Sequence, residues 1–433
     1  MIKSFFNPVY WMGSVWLSGW IASRGIPDVG MWRTVFLVVG ILHLIMLARR
    51  SMSPITWPRF NVEVAVLVVL TLWLLLQSAF ISSTPSASLA ELGDEWGKWL
   101  LTVVIAIWMV LKVFSSEGRA NWLIVGLFFG CFIHVISTVA YQIWSYFYSG
   151  NLMLGNSFLG NYGYASPFVT GALSFLMAEV VLRFNDKQWL PFSNQWLVFI
   201  FFSTLVALGV LNAKAAVVGS VVLFLASAIF VVISLKSMRQ GVLLFAGAVF
   251  VLIVSVTWNN RWHGTSDSIV AVINSPIDFQ TFTGASDPSA MVNQMEASSY
   301  LRAMWVKISL NGIAKHPFGL GYGSDAFGRF VVELGGPKGV VSSHSGWLDF
   351  ALANGIIGLG LLLLLFLLIM RRGWLSYQIG DATGLVLLFF VLNFCVRSLL
   401  DGHMYGSRFI GFAFVTAILW GLAVVSQENN RGV

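Results

Sequence analysis

The sequence predicts an all-α integral membrane protein, on three observations. The 433 residues are 58% hydrophobic and only 10% charged, too few charges to cover a water-soluble fold of this length. Apolar runs long enough to cross a hydrocarbon layer recur along the chain. One large polar insertion, 258–345, interrupts the otherwise short connections between them. Helices follow from the first two, because a lipid-immersed segment must satisfy its own backbone hydrogen bonds.

The runs number about twelve, at roughly 8–23, 34–48, 62–82, 98–114, 121–143, 164–183, 195–211, 214–235, 241–257, 346–370, 383–400 and 407–426. The first is read as a retained helix, since no small-residue cleavage site follows it. The organisation expected is helices over 1–257, a large loop over 258–345 and three more helices over 346–433. Basic residues set the orientation. An inside N-terminus puts Lys3, Arg49, Arg50, Arg59, Lys112, Arg119, Arg183, Lys187, Lys236, Arg239, Arg371, Arg372 and Arg431 in the cytoplasm. Only Arg24, Arg33, Lys98, Lys214, Arg397 and Arg408 then fall in short outer segments. Both termini are thus expected inside, with the 258–345 loop outside. The net charge of +7 is scattered among connections, which argues against a nucleic-acid partner. Cys131 and Cys395 lie within apolar runs and form no metal or disulfide pattern.

Within the loop, "SSYLRAMWVKISLNGIAKHPFGLGYGS" places Leu301, Met304, Trp305 and Ile308 on one helical face. Pro317 and a glycine series end that helix. A helix lying along the membrane surface is expected there. The Ser-, Asp- and Asn-rich stretch 264–298 is expected to be mobile.

The chemistry-bearing residues gather near the predicted outer ends. His344 precedes the tenth run, and three readings stand: an interfacial ring, a metal ligand, or a proton acceptor near neutral pH. His263 and His316 are too distant in sequence to complete a local ligand set. Asp349 sits one turn into the run, on a different side from His344. It is either a helix-end hydrogen-bond partner or a functional carboxylate. Gly355 and Gly358 would let a second helix approach closely. Arg302, followed by Lys307 and Lys315, reads as a lipid-phosphate face or as a diphosphate ligand, for which the guanidinium fork is suited. Lys214 is a costly charge at the mouth of the eighth run. Arg397, Asp401, His403 and Arg408 cluster between the last two runs, where Arg397 and Asp401 have ion-pair spacing.

At these residues the chain resembles the O-antigen ligase and polymerase superfamily. "HSGWLDFALANGIIG" is similar to that family's His-Ser-x-aromatic-Leu pattern with its trailing glycines. "SSYLRAMWVKISLNGIAKHPFGLGYGSDAF" is similar to its Arg–Trp helix and His-Pro-x-Gly-x-Gly turn. The resemblance implies a GT-C-like glycosyltransferase architecture in the bacterial inner membrane, working at the periplasmic face. It implies transfer of a glycan from undecaprenyl pyrophosphate to lipid A–core, with no metal or other cofactor. On that reading His344 is the general base and Arg302 binds the pyrophosphate. Lys214 stands where the family often has arginine, so the cation is kept and the fork is lost. Arg397 and Arg408 would add positive charge, with Asp349, Asp401 and His316 in supporting roles. "GNYGYASPF" departs from the family's form and is given no role. A polymerase joining lipid-linked repeats, a protein oligosaccharyltransferase, and a flippase of lipid-linked sugars are the alternatives. No pair of matching broken helices marks a transporter repeat.

Overall fold

A computed structural model describes residues 8–26, 30–50, 61–117, 121–211, 213–235, 237–257, 265–274, 277 and 297–431. Each apolar run is a helix. They are α1 (Pro8–Ser23), α2 (Gly30–Arg50), α3 (Asn61–Leu76), α5 (Gly97–Glu117), α6 (Asn121–Ser149), α7 (Tyr162–Arg183), α8 (Asn194–Leu211), α9 (Lys214–Leu235), α10 (Met238–Thr257), α14 (Gly346–Gln378), α15 (Ala382–Arg397) and α16 (Gly406–Arg431). A short α4 (Pro85–Glu91) follows α3, and a two-stranded turn, β1 (Asn156–Ser157) with β2 (Gly160–Asn161), precedes α7. The loop contributes α11 (Thr265–Asn274), α12 (Ala297–Lys315) and α13 (Ala326–Glu333). Among the described residues, seven helices are long and apolar enough to cross a membrane, and shorter apolar ones include 31–46, 238–253 and 382–397. The protein is an all-α membrane protein.

Burial separates centre from rim. The apolar windows of α7 and α16 are 89% buried, whereas that of α3 is 22% buried. The short α15 packs against α7, α9, α14 and α16 together. Aromatic rings fill this centre: Phe175 stacks on Phe390, and Phe390 on Phe412, at centroid distances of 5.3 and 5.7 Å. The rim shows Trp196, Val198, Phe199 and Phe202, as a surface facing lipid tails does.

The connections assigned to one side gather at one end of the bundle. Ser82 Oγ donates to Leu320 O, the Gly406 amide to Glu95 Oε2, and Ser407 Oγ to Arg24 O. At the opposite end Arg372 pairs with Glu63 and Gln427, and Trp189 Nε1 donates to Thr383 Oγ1.

Two expectations change, and a third lies largely outside the described residues. The tenth run is not one continuous helix from 346 to 370. It extends to Gln378 and breaks at Gly355, whose φ of 75° is outside the helical region. A Cβ there would collide with the Phe318 backbone, and one on Gly319 with the Ala353 carbonyl. The chain between His316 and Gly321 is laced into the break instead. Leu320 N and Gly321 N donate to the Leu352 and Ala353 carbonyls, and Ile356 N to the Pro317 carbonyl. Gly355 and Gly319 thus admit a loop backbone, whereas Gly358 lies against the Trp73 ring of α3, as an approaching second helix requires. The α12 stripe also differs. Met304 and Ile308 are fully buried against Phe327, Phe330, Val331 and Leu352, in a core belonging to the loop. Burying each such side chain contributes about 1.5–3 kcal/mol, so the stripe holds the loop together and is not left for lipid. Finally, the stretch expected to be mobile opens with α11. Its remainder, apart from Ile277 and the start of α12, lies outside the described residues.

Candidate active site at the loop end of the bundle

The site is organised by one face of α12. Ser299, Arg302 and Trp305 follow at three-residue spacing, so they share a face. Ser299 Oγ accepts from Lys214 Nζ at 2.7 Å, which brings the start of α9 to the loop. Arg302 Nη1 donates to the Leu400 carbonyl at 3.1 Å, in the connection between α15 and α16. Trp305 stacks on the His344 imidazole, with ring centroids 4.8 Å apart. One helix thereby brings together Lys214, Arg302 and His344.

His344 holds an unusual backbone conformation, with φ of 60°. A non-glycine residue there costs on the order of 1–3 kcal/mol and must be held by its surroundings. Asp349 does the holding. Its carboxylate accepts from Ser342 Oγ at 2.7 Å and from the Ser343 amide at 2.8 Å, and Ser342 Oγ accepts from the His344 amide at 3.0 Å. Asp349 therefore shapes the turn and makes no bond to the ring. The His344 ring nitrogens have no protein partner among the described residues, and the side chain is exposed on one edge. Partial shielding, then the Arg302 charge, hold the imidazole below its ordinary value against the opposing pull of Asp401. Beyond the Leu400 carbonyl, the Arg302 fork likewise meets no acceptor among the described residues.

The connection 398–405 forms the second wall. The Gly346 amide donates to the Asp401 carbonyl at 3.0 Å and Trp347 N to the Ser398 carbonyl, so the first turn of α14 is bonded to it. Arg397 is only 2% exposed and gives its fork to Thr170 Oγ1, Ser166 Oγ and Asp401 Oδ2. Arg397, expected as a diphosphate ligand, thus spends its fork pinning α7 to the connection. Arg408 is half-buried, donates to His403 Nδ1 and lies over Tyr164. Burial works to raise the Asp401 carboxyl, but the His403 hydrogen bond and the Arg397 and Arg302 charges hold it well below the usual carboxylate range.

His316 stands apart. It pairs with Glu333 at 3.2 Å at the far end of α12, about 21 Å from Arg302 along the helix, and is not brought to the other predicted site residues. Conversely, the segment given no role supplies Tyr164, Ser166 and, just beyond it, Thr170 to the two arginines. Its signal was small hydroxyl residues opening a deeply buried helix, a pattern with many structural causes.

A comparison with known families matches residues 198–363 to the family model described as O-antigen ligase. That segment contains Lys214, Arg302, Asp349 and His344. No curated protein matches the chain.

Proposed function

We propose that this chain, whose residues 198–363 match the O-antigen ligase family model, transfers a glycan from undecaprenyl pyrophosphate to lipid A–core. The observation carrying this reading is the meeting, on one face of α12, of Lys214, Arg302 and a His344 ring that stacks on Trp305 and whose nitrogens have no partner among the described residues. An acceptor-sugar hydroxyl gives its proton to a His344 ring nitrogen as its oxygen attacks the anomeric carbon. The bond from that carbon to the lipid diphosphate breaks, and its electron pair leaves with the diphosphate. Arg302 and Lys214 offset the charge developing on that leaving group. A base whose charged form is disfavoured by partial burial, and then by the neighbouring guanidinium, suits this task at neutral pH. Protein cations fill the role a metal ion would otherwise take.

The loop end of the bundle is the periplasmic end on this reading, and the bundle lies in the bacterial inner membrane with both termini in the cytoplasm. The Lys and Arg bias supports that orientation. Clustering of the site cations at one end favours chemistry at one face over passage of a charged head group through the bundle. The second reading within the superfamily is a polymerase, in which another lipid-linked repeat is the acceptor.

Sealed vesicles of known orientation separate these readings. With a defined undecaprenyl-linked donor and EDTA present, transfer to lipid A–core is expected only when both substrates face the loop end. Elongation of the donor instead would identify a polymerase. Transfer from the opposite face, or strict dependence on a divalent ion, would reject the mechanism.

A further inference from the structure

Every strut between the 398–405 connection and the candidate site uses a main-chain carbonyl. Leu400 O holds Arg302, while Asp401 O and Ser398 O hold the first turn of α14, next to His344. Carbonyl positions depend on the path of the connection, and His403 is the side chain placed to set that path. Its ring is 4% exposed. Nδ1 lies 2.9 Å from Arg408 Nη1, and Nε2 lies 3.1 Å from Asp401 Oδ2. An arginine can only donate and a carboxylate only accept. The arrangement is satisfied by one protonation state: a neutral imidazole accepting at Nδ1 and donating from Nε2. Arg397 Nη2 stands 3.3 Å from the same Nε2 because both nitrogens donate to Asp401 Oδ2.

We propose that His403 is a positioning residue, a neutral imidazole clamped between Arg408 and Asp401 that fixes the connection from which Arg302 and the His344 turn are hung. Its effect on transfer rests on the function proposed above; its clamping does not. The charged groups facing it are Asp401 on the connection, Arg397 from α15 and Arg408 from α16, with Arg302 and His344 beyond Asp401. A second proton on the ring would set an N–H against the Arg408 N–H and add a third positive charge to the two arginines. Burial, then those arginines against the pull of Asp401, hold the ring below the ordinary histidine value. The sign follows. A group whose folded value is depressed contributes stability that is present above about pH 6.5 and is lost as the pH falls below it.

The test compares wild type with His403→Gln, which is neutral at every pH and keeps a donor for Asp401, and His403→Lys, which is a fixed cation. Thermal unfolding in detergent and glycan transfer are both read between about pH 5 and 8. The expected result is a melting temperature that falls on acidification by less in His403→Gln than in wild type. His403→Lys should lower the melting temperature and transfer at pH 7, while His403→Gln retains more transfer than His403→Lys. Superimposable pH dependences of unfolding in wild type and His403→Gln would overturn the clamp, as would wild-type transfer by His403→Lys. If the unfolding difference is found but no protein transfers glycan, the clamp stands and the proposed function fails.

Discussion

His344 combines four properties rarely found together: a left-handed backbone, an exposed ring edge, an aromatic face against Trp305 and a nearby guanidinium. Each has a physical consequence. The turn is paid for by Asp349 and Ser342, the open edge admits a hydroxyl, and Arg302 disfavours the imidazolium. Because shielding and Arg302 lower the ring's value, the base form persists below the ordinary histidine range. The rate of transfer, measured as kcat/KM against pH, should therefore fall on the acid side with a midpoint below about 6.5. A midpoint above that value would contradict the environment assigned to His344. His344 and Arg302 were legible in the sequence because their types and flanking pattern point to them. The occupied state of Arg397 was not, because ion-pair spacing with Asp401 says nothing of Ser166 and Thr170, more than 200 residues away.

At the scale of elements, the helix break at Gly355 separates a short segment beginning beside His344 from the long apolar part of α14. The His316–Gly321 chain fills the gap, and Gln77 Nε2 and Trp73 Nε1 cap the Ala353 and Asn354 carbonyls at 2.9 and 2.8 Å. The break is thus a built joint with its freed carbonyls satisfied. Gly355→Ala should destabilise the protein by about 1–3 kcal/mol from the backbone conformation alone, with the Phe318 collision added. Thermal unfolding of the purified variant checks this, and an unchanged melting temperature would contradict the joint. The sequence showed that a neighbour must come close at Gly355 and Gly358. It did not show which, since the packed α3 helix that sets Trp73 on Gly358 and the laced loop at Gly355 need the same small residue. The amphipathic stripe of α12 was readable by its period, but its partner was not, because loop core and membrane surface demand the same apolar side chains.

For the molecule as a whole, the helical spans were legible because length and hydropathy act locally, residue by residue. Contacts among the connections gather at two opposite ends of the bundle. Convergence of the site was harder to read. Lys214, Arg302, His344 and the 398–405 connection come from four separate parts of the chain, and only the fold of the loop brings them together. The central claim is that this convergence carries out glycan transfer. Reconstituted transfer from a defined undecaprenyl-linked donor, by wild type, His344→Ala and Arg302→Ala of equal monodispersity, tests it most directly. The account predicts a fall of about 10²–10⁴-fold in His344→Ala, as for loss of a general base, and a comparable loss in Arg302→Ala. Wild-type turnover by either folded variant would contradict it.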